Sequence, residues 1–181
     1  CLYLNGDLHV LIYTDDCLST YPKTAAGARL YCDLITMLTT QFELGDDGMQ
    51  DCENFIGMHF EFNTDRTQCT ITQPQKLNEL ITDAGMTGSH ATFTTGVPKV
   101  LISTLDCPSD DDVTQKTLMK SKPYRKRVGQ LLWFARTSRP DLSYQVNCLS
   151  RVGHNPGLSH WHASSMLIRY VNHTRDYGLV Y

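Results

Sequence analysis

Along the chain, apolar and polar positions change period several times, and each period predicts a different element. Residues 8–14, Leu-His-Val-Leu-Ile-Tyr-Thr, are dense in β-formers and stop abruptly at Asp15-Asp16. Cys17-Leu18-Ser19-Thr20 then returns as a second strand, which predicts a hairpin with two carboxylates at its tip. From about Thr24 to Phe42 the residues Leu30, Leu34, Leu38 and Phe42 recur every four positions with Tyr31 and Ile35 beside them, the stripe of an amphipathic helix packed on that hairpin. After the turn-rich Gly45-Asp46-Asp47-Gly48, Ile56, Met58, Phe60 and Phe62 alternate strictly, and Gln68 to Thr72 can pair with them across Thr64-Asp65-Arg66-Thr67 as a second hairpin. Pro74 suits the first position of a helix in which Leu77, Leu80, Ile81 and Ala84 share a face, with Gly85 as its stop.

Residues 87–122 carry no period, are rich in Thr, Ser, Asp, Gly and Pro, and read as an exposed connector. Three helices are predicted beyond it: Tyr124 to Thr137, one opening at Pro140 after Arg139, and Ser159 to His173. The resulting class is α+β, with hairpins and one helix first and a helical region last. A hydrophobic fraction of 41% and a mean hydropathy of −0.30 over 181 residues fit an ordinary globular chain and exclude disorder and collagen-like repeats. No apolar run approaches the roughly 18 residues of a membrane span, so no membrane role is expected. The start, Cys1-Leu2-Tyr3-Leu4, has neither an initiator Met nor the basic region of a signal peptide, which predicts a piece of a longer chain. Seven cysteines at long intervals, without Cys-x-x-Cys or zinc spacing, predict reduced thiols and an intracellular setting.

The net charge of −3 hides a division. Residues 1–112 hold 17 acids and 5 bases, whereas residues 113–181 hold 2 acids and 11 bases. An acidic half gathers cations, a basic half suits a polyanion such as nucleic acid, and the plainer alternative is two solvated faces that dock on each other. Within the basic half, Lys116, Lys120, Lys122, Arg125, Lys126, Arg127, Arg136 and Arg139 run without an acid from Val113 to Pro140, with Tyr124, Trp133 and Phe134 interleaved. Contacts to a phosphate backbone are the expected use of the cations, whereas helical spacing predicts burial for Trp133 and Phe134.

Asp15 and Asp16 are like charges side by side with apolar flanks, a repulsion that a divalent cation relieves. Mg²⁺ takes one or two protein carboxylates and completes its octahedron with water and phosphates, as in two-metal phosphoryl transfer; a solvated Asp-Asp turn is the alternative. His160 and His162 stand two apart and point to different helix faces, so no catalysis is assigned to them, and His160 is expected to pack at a helix start capped by Ser159. Asp46, Asp47, Asp51 and Glu53 match no Ca²⁺ loop and read as a solvated acidic turn. Cys17 reads as a small buried strand residue.

Tyr13-Thr14-Asp15-Asp16 between apolar strands resembles the Tyr-x-Asp-Asp box of reverse transcriptases, and the blocks that follow extend the likeness to the Ty1/copia retrotransposon class. Phe42-Glu43-Leu44 with Gly48, then Phe55-Ile56-Gly57-Met58, resembles its Phe…Gly…Phe-Leu-Gly-Ile stretch, and Ile71-Thr72-Gln73-Pro74-Gln75-Lys76-Leu77 its Leu-Ser-Gln-x-Lys-Tyr helix. Tyr124-Arg125, Val128 to Leu132, Arg139-Pro140-Asp141-Leu142, Leu149-Ser150-Arg151, Pro156, His160-Trp161, Arg169-Tyr170-Val171 and Gly178-Leu179 keep the family's order.

The resemblance implies a partial polymerase palm over 1–73, a thumb-like helix over 74–86, a connector over 87–122 and a helical connection over 123–181 leading toward a ribonuclease H domain. It implies RNA-directed DNA polymerisation in the parent Pol polyprotein, with Asp15 and Asp16 catalytic and holding Mg²⁺ (or Mn²⁺). Tyr13, Thr14, Lys120, Lys122, Arg125, Lys126 and Arg127 would contact nucleic acid, and Phe55 to Phe60 would support the primer strand. The implied partners are an RNA or DNA template-primer, deoxynucleotides and the rest of the polyprotein, within a cytoplasmic virus-like particle or the nucleus. Thr14 replaces the family's usual apolar residue. The family's first metal-binding aspartate lies upstream of Cys1, so this fragment is expected not to polymerise alone; incorporation abolished by Asp15→Asn would refute that. The rival expectation is a relic that binds nucleic acid without catalysis.

Overall fold

The computed structural model describes residues 1–14, 16–42, 51–96 and 102–181, and the chain divides into two units, Cys1–Ile56 and Gly57–Tyr181. Both contain helix and strand, so the α+β class stands. Asp15, Glu43, Leu44, Gly45, Asp46, Asp47 and Gly48, all named above, lie outside the described residues.

In the first unit an antiparallel sheet runs in the order β1 (Leu2–Asn5), β2 (Leu8–Tyr13), β3 (Asp16–Thr20). The β2–β3 hairpin is the predicted one. Strand β1 is an addition: Leu2 faces Leu11 and Asn5 faces Leu8, and Gly6 at φ 57 makes the turn that folds it back. Helix α1 (Ala25–Gln41) starts where Thr24 accepts the Gly27 N–H at 3.1 Å. Gly27 has a steric reason: a Cβ there would stand 2.3 Å from the Pro22 carbonyl oxygen. The α1 stripe of Leu30, Leu34 and Leu38 and the sheet residues Leu8, Val10 and Ile12 border an apolar groove of about 520 Å³. The two-residue strand β4 (Asn54–Phe55) ends the unit, and Ile56 and Gly57 follow with φ of 51° and 73°. A glycine in the left-handed region there explains the glycine of the Phe-Ile-Gly-Met block.

In the second unit β5 (Met58–Phe62) pairs with β6 (Cys69–Thr72), Phe60 opposite Ile71, as the alternation predicts. Strand β7 (Leu179–Val180) adds to β6, Leu179 opposite Ile71. Helix α2 (Pro74–Asp83) begins at Pro74 and ends before Gly85 at φ 65. The connector is more ordered than its composition predicts. It contains a 3₁₀ turn (Thr104–Asp106) and helix α3 (Val113–Lys120), which starts where the Asp112 carboxylate accepts the Gln115 N–H at 2.9 Å and which buries Met119.

Helices α4 (Tyr124–Thr137), α5 (Ser143–Arg151, after a 3₁₀ turn at Pro140–Leu142) and α6 (Leu158–His173) enclose the core with α2. Leu80, Leu131, Phe134, Leu149, Leu167 and Ile168 are each 0–1% exposed. Truncating one such side chain to Ala typically costs about 2–5 kcal/mol. Two expectations need correcting. Trp133 stands 39% exposed beside the buried Phe134, because consecutive helical residues point about 100° apart. Helix α6 begins after Gly157 rather than at Ser159: the imidazole of His160, 0% exposed, reaches back so that its Nδ1 accepts the Gly157 N–H at 2.8 Å. His162 is exposed on another face, as expected.

Candidate functional site

Two places gather the residues singled out by sequence, one in each unit. In the first unit the register sets Tyr13 opposite Asp16, with Ile12 opposite Cys17 and Leu11 opposite Leu18. Asp16 is therefore the first residue of β3 and its carboxylate is exposed, while Tyr13 is 57% exposed. Thr14 has a φ of 55, a left-handed conformation that β-branched residues rarely adopt. The departure from the family box thus falls on a strained turn residue. Asp15 lies outside the described residues. Among the described residues no group of three or more His, Cys, Asp or Glu side chains converges. An exposed carboxylate at a hairpin end is a hard oxygen donor of the kind Mg²⁺ shares with water and phosphate oxygens, so Asp16 fits part of such a site rather than a closed cage.

In the second unit, a groove of about 430 Å³ is lined by Lys116, Lys120, Lys122, Arg125 and Lys126 on one side and by Gly153, His154, Asn155 and Pro156 on the other. Its cations come from α3 (Lys116 and Lys120), from the link after it (Lys122) and from the first turn of α4 (Arg125 and Lys126). A positive side chain in a first turn opposes the helix dipole, whose amino end is itself partly positive, so helix stability does not account for Arg125 and Lys126. Arg125 is anchored, its Nε donating to the Gly153 carbonyl at 2.9 Å. The Lys122 ammonium stands 4.8 Å from the centre of the Trp161 ring. Lys116 pairs with Asp110 at 2.8 Å and Lys126 with Asp83 at 2.6 Å. Hydrogen bonds from Lys126 and Gln130, with the Lys126 charge, hold the Asp83 carboxyl below the usual carboxylate range, and Lys116 does the same for Asp110.

The structure sorts the basic series in a way the sequence does not reveal. Lys120, Lys122, Arg125 and Lys126 meet in the groove. Arg127, 6% exposed, turns inward: its guanidinium lies 3.6 Å from the centre of the Trp161 ring and donates to the Ser165 hydroxyl at 2.9 Å and the Ser164 hydroxyl at 3.4 Å. It joins α4 to α6 and offers nothing to a backbone outside, which corrects its expected place among the phosphate contacts. Arg139, 2% exposed, is likewise internal, while Arg136 is exposed but does not line the groove. The far wall, Gly153–Pro156, carries no sequence signal beyond Pro156, and nothing local ties it to residues some thirty positions earlier.

The chain is 30% identical over 179 residues to a putative transposon Ty5-1 protein of Saccharomyces cerevisiae, 98% of this chain and 53% of that protein. It is 26% identical over 179 residues to the retrovirus-related Pol polyprotein from transposon TNT 1-94 of Nicotiana tabacum, 96% of this chain and 13% of the polyprotein. A similar polyprotein from transposon RE1 of Arabidopsis thaliana is 27% identical over 172 residues, 95% of this chain and 11% of its own length. The chain thus spans about half of the first relative and a small part of the polyproteins. No family model matches it, and no solved structure does.

Proposed function

Because this chain is a relative of copia-type retrotransposon Pol polyproteins over nearly its whole length, we propose that it is the part of a reverse transcriptase that carries the catalytic hairpin and the helices after it. The observation that carries this reading is the register of Tyr13 against Asp16, which sets the first and last residues of the Tyr-Thr-Asp-Asp sequence opposite each other at the ends of two strands. In the parent protein Asp15 and Asp16 would hold Mg²⁺ or Mn²⁺, which when bound supplies positive charge to the oxygens of the transferring phosphate. The chain's own contribution is placement. The β2–β3 ladder fixes the Asp16 backbone, and the groove cations hold a nucleic-acid backbone without reading its sequence. The palm and thumb assignments, the template-primer, the deoxynucleotides and the ribonuclease H neighbour belong to the same proposal.

A second reading, a relic that binds nucleic acid without catalysis, is favoured by one observation: the groove lies in a different unit from the hairpin. A Mn²⁺ titration followed by paramagnetic broadening of amide signals separates the two. The polymerase reading predicts broadening centred on residues 12–18 of the intact chain, reduced in Asp16→Asn. Broadening unrelated to the hairpin and indifferent to Asp16→Asn supports the relic.

A further inference from the structure

Two of the five cations lining the groove already have carboxylate partners. Asp83 takes Lys126 and Asp110 takes Lys116, whereas Lys120, Lys122 and Arg125 have no ion pair among the described residues. Among the described residues the groove therefore presents three uncompensated cations rather than five.

The first of these pairs is built from charges at unfavourable ends of their helices. Asp83 is the last residue of α2, where a negative charge meets the partly negative carbonyl end, and Lys126 lies in the first turn of α4, where a positive charge meets the partly positive amide end. Each opposes its own helix and is compensated by the other. Lys126 remains 61% exposed, so its ammonium can turn to a ligand. Asp83 also accepts from Gln130 Nε2 at 3.1 Å, one helical turn beyond Lys126, so it keeps a partner if Lys126 leaves. In the second pair Asp110 is fully exposed and loses no hydration to confinement when Lys116 departs. Both lysines can exchange a carboxylate for another anion without stranding a buried charge.

We propose that Asp83 and Asp110 are displaceable counter-ions of the groove: they hold Lys126 and Lys116 when no nucleic acid is bound, yield them to backbone phosphates, and so limit how tightly a template-primer is gripped. This rests on the groove being a phosphate-backbone site, as the reading above has it. An enzyme that must step along its template gains from a grip weakened by built-in competitors, because full neutralisation by five cations makes release slow. Neither carboxylate touches the nucleic acid; each acts through its lysine.

The test is fluorescence anisotropy of the full chain with a short labelled RNA–DNA hybrid at fixed salt. Asp83→Asn and Asp110→Asn should each tighten binding about two- to fivefold, the range of an exposed ion pair, while Asp176→Asn, away from the groove, should change nothing. In a Lys126→Met background Asp83→Asn should have no effect, and in a Lys116→Met background neither should Asp110→Asn. Tightening that persists without the paired lysine overturns the proposal, since it then reflects bulk charge alone. So does an unchanged affinity in both Asp→Asn variants while Lys122→Glu and Arg125→Glu weaken binding, a result that leaves the groove reading intact. If Lys122→Glu and Arg125→Glu bind as the parent chain does, the groove reading falls and takes this proposal with it.

Discussion

Arg139 and Asp141, two residues apart, form a two-point ion pair: Arg139 Nε donates to one carboxylate oxygen at 3.0 Å and Nη2 to the other at 2.8 Å. The same guanidinium donates to the Thr174 carbonyl at 2.9 Å and its hydroxyl at 2.7 Å, tying the α4–α5 turn to the end of α6. This accounts for the Arg-Pro-Asp-Leu block as architecture rather than chemistry. Lysine keeps the charge but not the planar fork, so Arg139→Lys should lose about 2–3 kcal/mol, the scale of charged hydrogen bonds left unmade. Urea unfolding measures it, and a loss below about 0.5 kcal/mol, the range of an ordinary surface substitution, would contradict the buried fork.

The same pair predicts an acid dependence. Burial pushes the Asp141 carboxyl up, but the Arg139 hydrogen bonds and charge, with the Tyr170 hydroxyl at 3.0 Å, outweigh it and hold the group below its ordinary value. A group lowered in the folded state adds stability above its unfolded pKa and loses it as pH falls through the folded one. The stability difference between the parent chain and Asp141→Asn should therefore be full at neutral pH and shrink below about pH 4, the ordinary carboxylate range. A difference constant down to strong acid would show that the charge on Asp141 is irrelevant.

His160 is a structural bridge. With Nδ1 accepting from the Gly157 N–H, its proton sits on Nε2 and is donated to the Ser103 carbonyl at 3.0 Å, fastening the connector to the start of α6. His160→Ala leaves the buried Gly157 N–H unpaired, takes from the Ser103 carbonyl one of its two donors (the Asp106 N–H at 3.2 Å remains) and opens a cavity, a cost of about 2–4 kcal/mol. A shifted denaturant midpoint with unchanged binding of nucleic acid would bear this out; lost binding without lost stability would place His160 in the groove's function instead.

Salt dependence reports how many cations the groove commits. Replacing Arg125 or Lys122 by Gln should weaken RNA–DNA binding similarly for all sequences and reduce the slope of log affinity against log salt by about one each. A sequence-selective effect would mean that the groove reads bases.

The strands and helices with clear periods were legible from sequence. Leu30, Leu34 and Leu38 marked α1, the alternation ending at Phe62 marked β5, and Pro74 and Gly85 marked the ends of α2. Helix α3 was not, because among Val113–Lys120 only Met119 is buried, which leaves no stripe, and its capping Asp112 is masked among three consecutive aspartates. Strand β1 carries no sequence signal because it is four residues long and exposed throughout. Charge runs show that cations are present but not which of them face outward. Arg127 and Arg139 read like their neighbours, and only packing against Trp161 in one case and Thr174 in the other turns them inward. The groove's far wall and its Asp83 partner come from distant segments, so no local pattern announces them.

The central claim, that the Tyr13–Asp16 hairpin belongs to a polymerase, is tested most directly by primer extension on an RNA template with the complete parent polyprotein and its Asp16→Asn variant. Asp16 is exposed, so the substitution should leave folding within about 0.5 kcal/mol and abolish nucleotide incorporation while template-primer binding persists. Full incorporation by Asp16→Asn would contradict the account.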